Sequence, residues 1–145
     1  MIKPLYFDTN IFIYLSDNSS PYYSRCSDLI KSCEANDVPI ATSTETIQEI
    51  IHYAINTKQL LKSITLANKV LELVDYLYPV SKPTIELYLL QAQMYKTLES
   101  RDLIHFSVCL ENRIKDIATY DKKFKTFKNL RAITPEEILN ISPLQ

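Results

Sequence analysis

Apolar and polar positions follow two alternating rhythms along this chain. Pro4-Leu5-Tyr6-Phe7 is a short apolar run that stops at Asp8, the pattern of a buried strand. Val38-Pro39-Ile40-Ala41, the stretch around Tyr78 to Val80, Asp116-Ile117-Ala118-Thr119 and Leu130 to Ile133 read the same way. Helical spacing fills the intervals. One helix is expected from Asn10 to Leu15, and a second opens at Pro21 and runs to about Ala35. A third, Ser43 to Ala54, carries Ile47, Ile50, Ile51 and Ala54 on one face. Lys58 to Tyr76 reads as one long helix with two adjacent apolar stripes: Leu60, Ile64, Ala67, Leu71, Val74 and Leu66, Val70, Leu73, Leu77. That face is wider than a surface helix needs, so it suits either a partner or more of the chain's own core. Pro83 starts a helix to about Leu98, and Ser100 is a candidate N-cap for one reaching Arg113. Thr134-Pro135 opens the last helix, with Thr134 as cap and proline at the first helical position. This alternation predicts an α/β fold with a mostly parallel central sheet.

Composition narrows the classes. The length of 145 residues suits one domain with a real core. Glycine is absent where average usage predicts roughly ten, so turns must use Asn, Asp, Ser and Pro. Glycine-dependent phosphate loops, Walker A and Rossmann alike, are excluded. The longest aliphatic and aromatic run, Ile11 to Leu15, is far too short for a bilayer. No signal-like apolar stretch follows Lys3, so a cytoplasmic protein with no membrane role is expected. Cys26 and Cys33 lie seven apart on one helix face and Cys109 lies on another helix. An odd count without a CxxC pair fits small core residues.

The formal charge of −1 does not announce a nucleic-acid binder, but its distribution does more. Lys122, Lys123, Lys125, Lys128 and Arg131 follow closely on Asp121. Such a patch either holds phosphates beside an acidic centre or is a solvated surface.

Four carboxylates stand in distinctive settings: Asp8, Glu49, Asp102 and Asp121. Asp8 and Asp121 follow apolar strands, at the carboxyl ends where parallel sheets place ligands. Asp116 sits at the opposite end of its strand. An aspartate that bonds its own turn is the competing reading for both. Glu49 competes with Glu45, which stands three residues after Thr42 in the spacing of a capping box. Asp102 falls in the first turn of its helix, where the macrodipole alone would favour an acid. His105, one turn on, would bond that acid, orient substrate or serve a structural role. Asn10, Ser43 and Thr119 are placed either to cap local structure or to steady the acids. Clustered carboxylates require a cation, and hard oxygen ligands favour Mg2+ or Mn2+. If the fold assembles them, the expected chemistry is metal-assisted phosphodiester cleavage.

Taken in order, these residues resemble the PIN-domain ribonucleases, most closely the VapC-type toxins of toxin–antitoxin pairs. The matching marks are Asp8-Thr9-Asn10, Ser43 with Glu49, Arg101-Asp102 with His105, and Thr119-x-Asp121-x-x-Phe124. The resemblance spans nearly the whole chain. It implies a single PIN-like α/β/α sandwich over residues 1–145, and an endoribonuclease using Mg2+ or Mn2+ and a metal-activated water. It implies that Asp8, Glu49, Asp102 and Asp121 line the metal site, with Asn10, Ser43, His105 and Thr119 around them. Lys122, Lys123 and Lys125 would steer RNA, and a cognate antitoxin and a homodimer are the expected protein partners. Leu103 departs from the small residue common after the aspartate, and Asn112-Arg113 replace a frequent glycine.

Two other functions fit part of the pattern. A PIN-like module that holds RNA or protein without cutting would suit the fold, as would a PIN nuclease of RNA processing. A receiver would need paired acids after the first strand and a phosphoacceptor aspartate after a middle strand, and an Asp-x-Asp phosphatase would need an acid where Asn10 stands; neither pattern is met.

Overall fold

The computed structural model describes residues 2–141. Its elements in chain order are β1 (Leu5–Phe7), α1 (Thr9–Leu15), α2 (Tyr23–Ala35), β2 (Ile40–Ser43), α3 (Thr44–Thr57), α4 (Leu60–Leu73), β3 (Tyr76–Tyr78), α5 (Lys82–Met94), α6 (Ser100–Glu111), β4 (Asp116–Ala118), a 3-10 turn (Lys122–Thr126), β5 (Arg131–Ile133) and α7 (Pro135–Leu139). The strands form one sheet in the order β3-β2-β1-β4-β5. Every pairing is parallel. The expected α/β/α sandwich is therefore present, with β1 at its centre.

Side chains of successive strand residues leave opposite faces of the sheet, and this gives the protein two cores. Leu5, Phe7, Ile40, Ala118 and Ile133 pack with α1, α2, α3, α4 and α7 through Ile11, Phe12, Leu29, Ile50, Val70 and Ile138. Tyr6, Ala41 and Ile117 pack on the other face with α6 and the 3-10 turn through Phe106, Val108 and Phe124. Helix α6 is buried continuously from Asp102 to Cys109, which fixes its first-turn acid inside the protein. All three cysteines are free and buried.

Several boundaries differ from the expectation. The stretch from Lys58 to Tyr76 is not one helix. Lys58 adopts φ 58° and ends α3 at Thr57, α4 covers only Leu60–Leu73, and Tyr76 already belongs to β3. Of the two apolar stripes, Ala67 and Val70 are buried, whereas Leu60, Ile64, Leu71 and Leu77 are exposed, as is Leu61 outside both stripes. Strand β3 (Tyr76–Tyr78) begins two residues before the expected Tyr78 to Val80, and α5 stops at Met94 rather than Leu98. Glu99, not Ser100, occupies the N-cap of α6, and the Ser100 hydroxyl instead bonds Tyr88 at 2.7 Å. Left-handed turns fall to Asp37, Lys58, Arg113 and Asn129 in this glycine-free chain. After α6 it is Arg113, at φ 56°, and not Asn112 that takes this conformation.

Candidate active site

Parallel pairing brings the carboxyl ends of β1, β2 and β4 together, and the candidate acids gather there. Asp8 follows β1 directly and is 6% exposed. Its Oδ1 accepts from the Thr9 amide at 2.8 Å, capping α1, and its Oδ2 accepts from the Thr119 hydroxyl at 2.7 Å. Burial pushes its pKa up; His105 and the Thr119 bond offset only part of this. Asp121 caps the 3-10 turn through Oδ1, which accepts from the Lys123 amide at 2.9 Å. Thr119 serves both aspartates, because its Oγ1 also accepts from the Asp121 amide at 2.9 Å.

Asp102 enters from α6. It is 9% exposed, and burial lifts its pKa to about 6, with Asp121 and Asp8 adding to the rise and Lys123 opposing it. Its buried Oδ2 accepts no hydrogen bond, nor does the buried Oδ1 of Asn10. Asn10 does face the cluster: its Nδ2 lies 3.5 Å from Thr119 Oγ1. Buried oxygens without donors carry a desolvation cost, which a hard cation would relieve. The donor chemistry, oxygen throughout, suits Mg2+ or Mn2+. Among the described residues, no three His, Cys, Asp or Glu side chains are arranged to hold an ion in common. The Lys123 ammonium instead lies 3.5 Å from Asp102 Oδ2 and 3.6 Å from Asp121 Oδ2.

Glu49 approaches from α3 by a different route. Its Oε1 accepts from the Thr9 hydroxyl at 2.9 Å and bonds His105 Nε2. Both contacts fall on Oε1. Burial pushes the Glu49 pKa up, but the bond to and charge of His105, with Thr9 and Arg101, outweigh it and hold the pKa below the usual value. His105 is fully buried; burial pulls its pKa down, yet the Glu49 bond and the charges of Asp8, Glu49 and Glu45 raise it overall. Its Nε2 is 3.9 Å from Asp8 Oδ1, so the ring sits between Asp8 and Glu49.

Sequence reasoning missed Tyr6. Its hydroxyl, fully buried under β1, donates to Ser43 Oγ at 2.8 Å and lies 2.6 Å from His105 Nδ1. The available signal was a tyrosine in mid-strand, since a buried phenol needs a polar partner. Ser43 stands at the N-cap of α3 but makes no side-chain cap bond. The expected Thr42–Glu45 capping box is also absent. The Thr42 hydroxyl bonds the Phe7 carbonyl at 2.9 Å and Thr46 at 2.7 Å, while Glu45 pairs with Arg101 at 3.8 Å. Lys122 and Lys125 are exposed on the 3-10 turn.

Residues 5–130 match the PIN domain. The chain belongs to the PIN domain family. It is 24% identical over 126 residues to VapC ribonuclease Mb1869c of Mycobacterium bovis, covering 87% of this chain and 96% of that relative. Ribonuclease VapC13 of Mycobacterium tuberculosis matches equally. Among solved structures, VapBC2 of Rickettsia felis bound to a promoter DNA fragment superposes with a TM-score of 0.71 at 19% identity, covering 92% of this chain and 98% of that one. VapC20 of Mycobacterium tuberculosis, described as a sarcin-ricin loop cleaving toxin, gives 0.68 at 17% identity, with 88% and 98% covered. These structural likenesses establish a PIN fold. Among the described residues no helix is long and apolar enough to cross a membrane.

Proposed function

We propose that this PIN domain is a divalent-metal-dependent endoribonuclease, the toxin of a toxin–antitoxin pair, acting in the cytoplasm as one nuclease domain over residues 1–145. The observation that carries this reading is a buried Asp102 oxygen left without a hydrogen-bond donor, at the end of the sheet where the charges of Asp121 and Asp8 also act on it. The relatives named as VapC ribonucleases support the same reading.

Asp8, Asp102 and Asp121 would hold Mg2+ or Mn2+, with Glu49 contributing through Oε2, which is free of the contacts on Oε1. When bound, such an ion supplies Lewis acidity, lowering the pKa of water and offsetting charge on the scissile phosphate. The protein's own groups do the rest. Thr119 orients Asp8 and the Asp121 backbone. His105, protonated, keeps Glu49 ionised and fixes its direction. Asn10 offers an unpaired oxygen to substrate or to water at the site. Lys122 and Lys125, just beyond Asp121, meet RNA phosphates.

An antitoxin partner fits the exposed Leu60, Leu61, Ile64 and Leu71 of α4, because apolar side chains exposed together on one helix mark interaction surfaces. Several matched structures are toxin–antitoxin complexes. Leu89, Leu90 and Met94 of α5 offer a second exposed apolar face, suited to a second copy of the chain.

The test is incubation of purified, metal-scrubbed protein with single-stranded RNA. Internal cleavage that requires added Mg2+ or Mn2+, stops with chelator and leaves 5′-phosphate ends supports the assignment. No cleavage with either ion, or cleavage indifferent to chelator, refutes it.

A further inference from the structure

We propose that Lys123 is the built-in counter-ion of the acidic centre, and that a divalent cation loads by displacing its ammonium. This inference rests on the reading that Asp102 and Asp121 hold the metal.

The Lys123 Nζ lies 3.3 Å from Glu99 Oε1, 3.5 Å from Asp102 Oδ2 and 3.6 Å from Asp121 Oδ2. Its carboxylates come from three places: the residue before α6, the first turn of α6 and the loop after β4. The two aspartate oxygens it touches are those left over by the local structure. Asp121 Oδ1 is occupied by the Lys123 amide, which leaves Oδ2 for the ammonium. Asp102 Oδ2 is buried and has no hydrogen-bond donor, so its charge is met only across an ion-pair distance. The backbone that caps the 3-10 turn on Asp121 therefore aims the lysine stem at the centre. The neighbouring Lys122 and Lys125 have no ion pair among the described residues.

An ammonium has three donors and no lone pair, so it cannot be a metal ligand. It uses the same two oxygens that a hard cation takes. Two cations this close repel strongly, and one must leave. The Lys123 side chain is 46% exposed and flexible, so it can swing to solvent. Without metal, it relieves the repulsion between Asp102 and Asp121. With metal, its departure costs affinity.

Isothermal titration of Mn2+ into metal-free protein tests this, with thermal melting as a second readout. Lys123→Met should bind Mn2+ about tenfold more tightly, the equivalent of a few exposed ion pairs no longer broken. Its metal-free form should melt lower than wild type, so the rise in Tm on adding Mn2+ should be larger. Glu99→Gln should move affinity the same way by less, and it serves alone if Lys123→Met does not fold. Equal or weaker Mn2+ binding by these variants, with wild-type binding still lost in Asp102→Asn, overturns the counter-ion role and leaves the metal site standing. Mn2+ binding in wild type that is absent, or unaffected by Asp102→Asn, overturns the metal site and this inference together.

Discussion

The Tyr6 hydroxyl donates its one proton to Ser43 and so receives a proton from His105 Nδ1, 2.6 Å away. Nε2 of the same ring faces Glu49. Both ring nitrogens are engaged, and the neighbouring carboxylates raise the His105 pKa, which favours the doubly protonated ring with both nitrogens donating. A tyrosine of β1 thus anchors one side of a histidine in α6 whose other side holds a glutamate of α3, while that glutamate and Asp8 supply the charges that raise the histidine pKa.

Tyr6→Phe should remove the acceptor for Nδ1–H while keeping ring packing. Stability should fall by about 1–3 kcal/mol, because a buried donor is left unpaired. The His105 pKa, followed by NMR, should drop relative to wild type. A raised histidine contributes stability that is fully present below its unfolded value of roughly 6.5 and lost as pH rises through the folded one. Tyr6→Phe should bring that loss to lower pH. An unchanged His105 titration would contradict the network.

Asp102→Asn should stabilise the metal-free protein. The folded pKa of about 6 lies above the ordinary 3.8, so the native state holds this proton more tightly than the unfolded chain does. The penalty is absent below the unfolded value, grows between the two and is complete above about 6. Chemical denaturation with chelator present should show a gain of about 1–3 kcal/mol at pH 7 that vanishes near pH 3.5. The same variant should lose metal binding.

Much of this was legible in the chain. The end of β1 at Asp8 follows from a four-residue apolar run stopped by an acid, and the start of α7 from Thr134-Pro135, whose hydroxyl accepts from the Glu137 amide at 3.2 Å. The break between α3 and α4 was not legible. Helices usually announce their ends with glycine, and here a lysine takes the left-handed position with no local mark. The roles of Thr42 and Glu45 were misread because spacing along the chain says nothing of partners across it. Thr42 is drawn to the Phe7 carbonyl on the neighbouring strand, and Glu45 to Arg101 on α6. Tyr6 escaped notice for the same reason, since its partners are 37 and 99 residues away.

Glu49→Gln should lower cleavage by about two orders of magnitude, as expected for loss of a charged group at a metal site, and should also lower the His105 pKa. Glu45→Gln breaks a partly exposed pair with Arg101 and should cost about 0–1 kcal/mol, without a comparable loss of rate. Single-turnover cleavage with parallel denaturation separates the two. The reverse ranking would assign the catalytic role to Glu45.

Replacing Lys122 and Lys125 with Gln should weaken RNA binding and flatten its salt dependence by about two counterions, while leaving the rate at saturating RNA close to wild type. Lys123 is kept in that variant, because it faces the acids. Affinity and salt slope both unchanged would move the RNA path elsewhere on the surface.

On the proposed function, the end of the sheet bearing Asp8 is the cutting end. Asp116 offers a matched control: it is also an aspartate at a strand terminus, but at the opposite edge of β4, paired with Arg131 at 2.8 Å. The direct measurement is single-turnover cleavage of one RNA by Asp8→Asn and by Asp116→Asn, in metal-scrubbed protein resupplied with Mg2+. Asp8→Asn should lose about a hundredfold or more, and Asp116→Asn should cut at near wild-type rate. A folded Asp8→Asn variant that cuts at the wild-type rate would contradict that function.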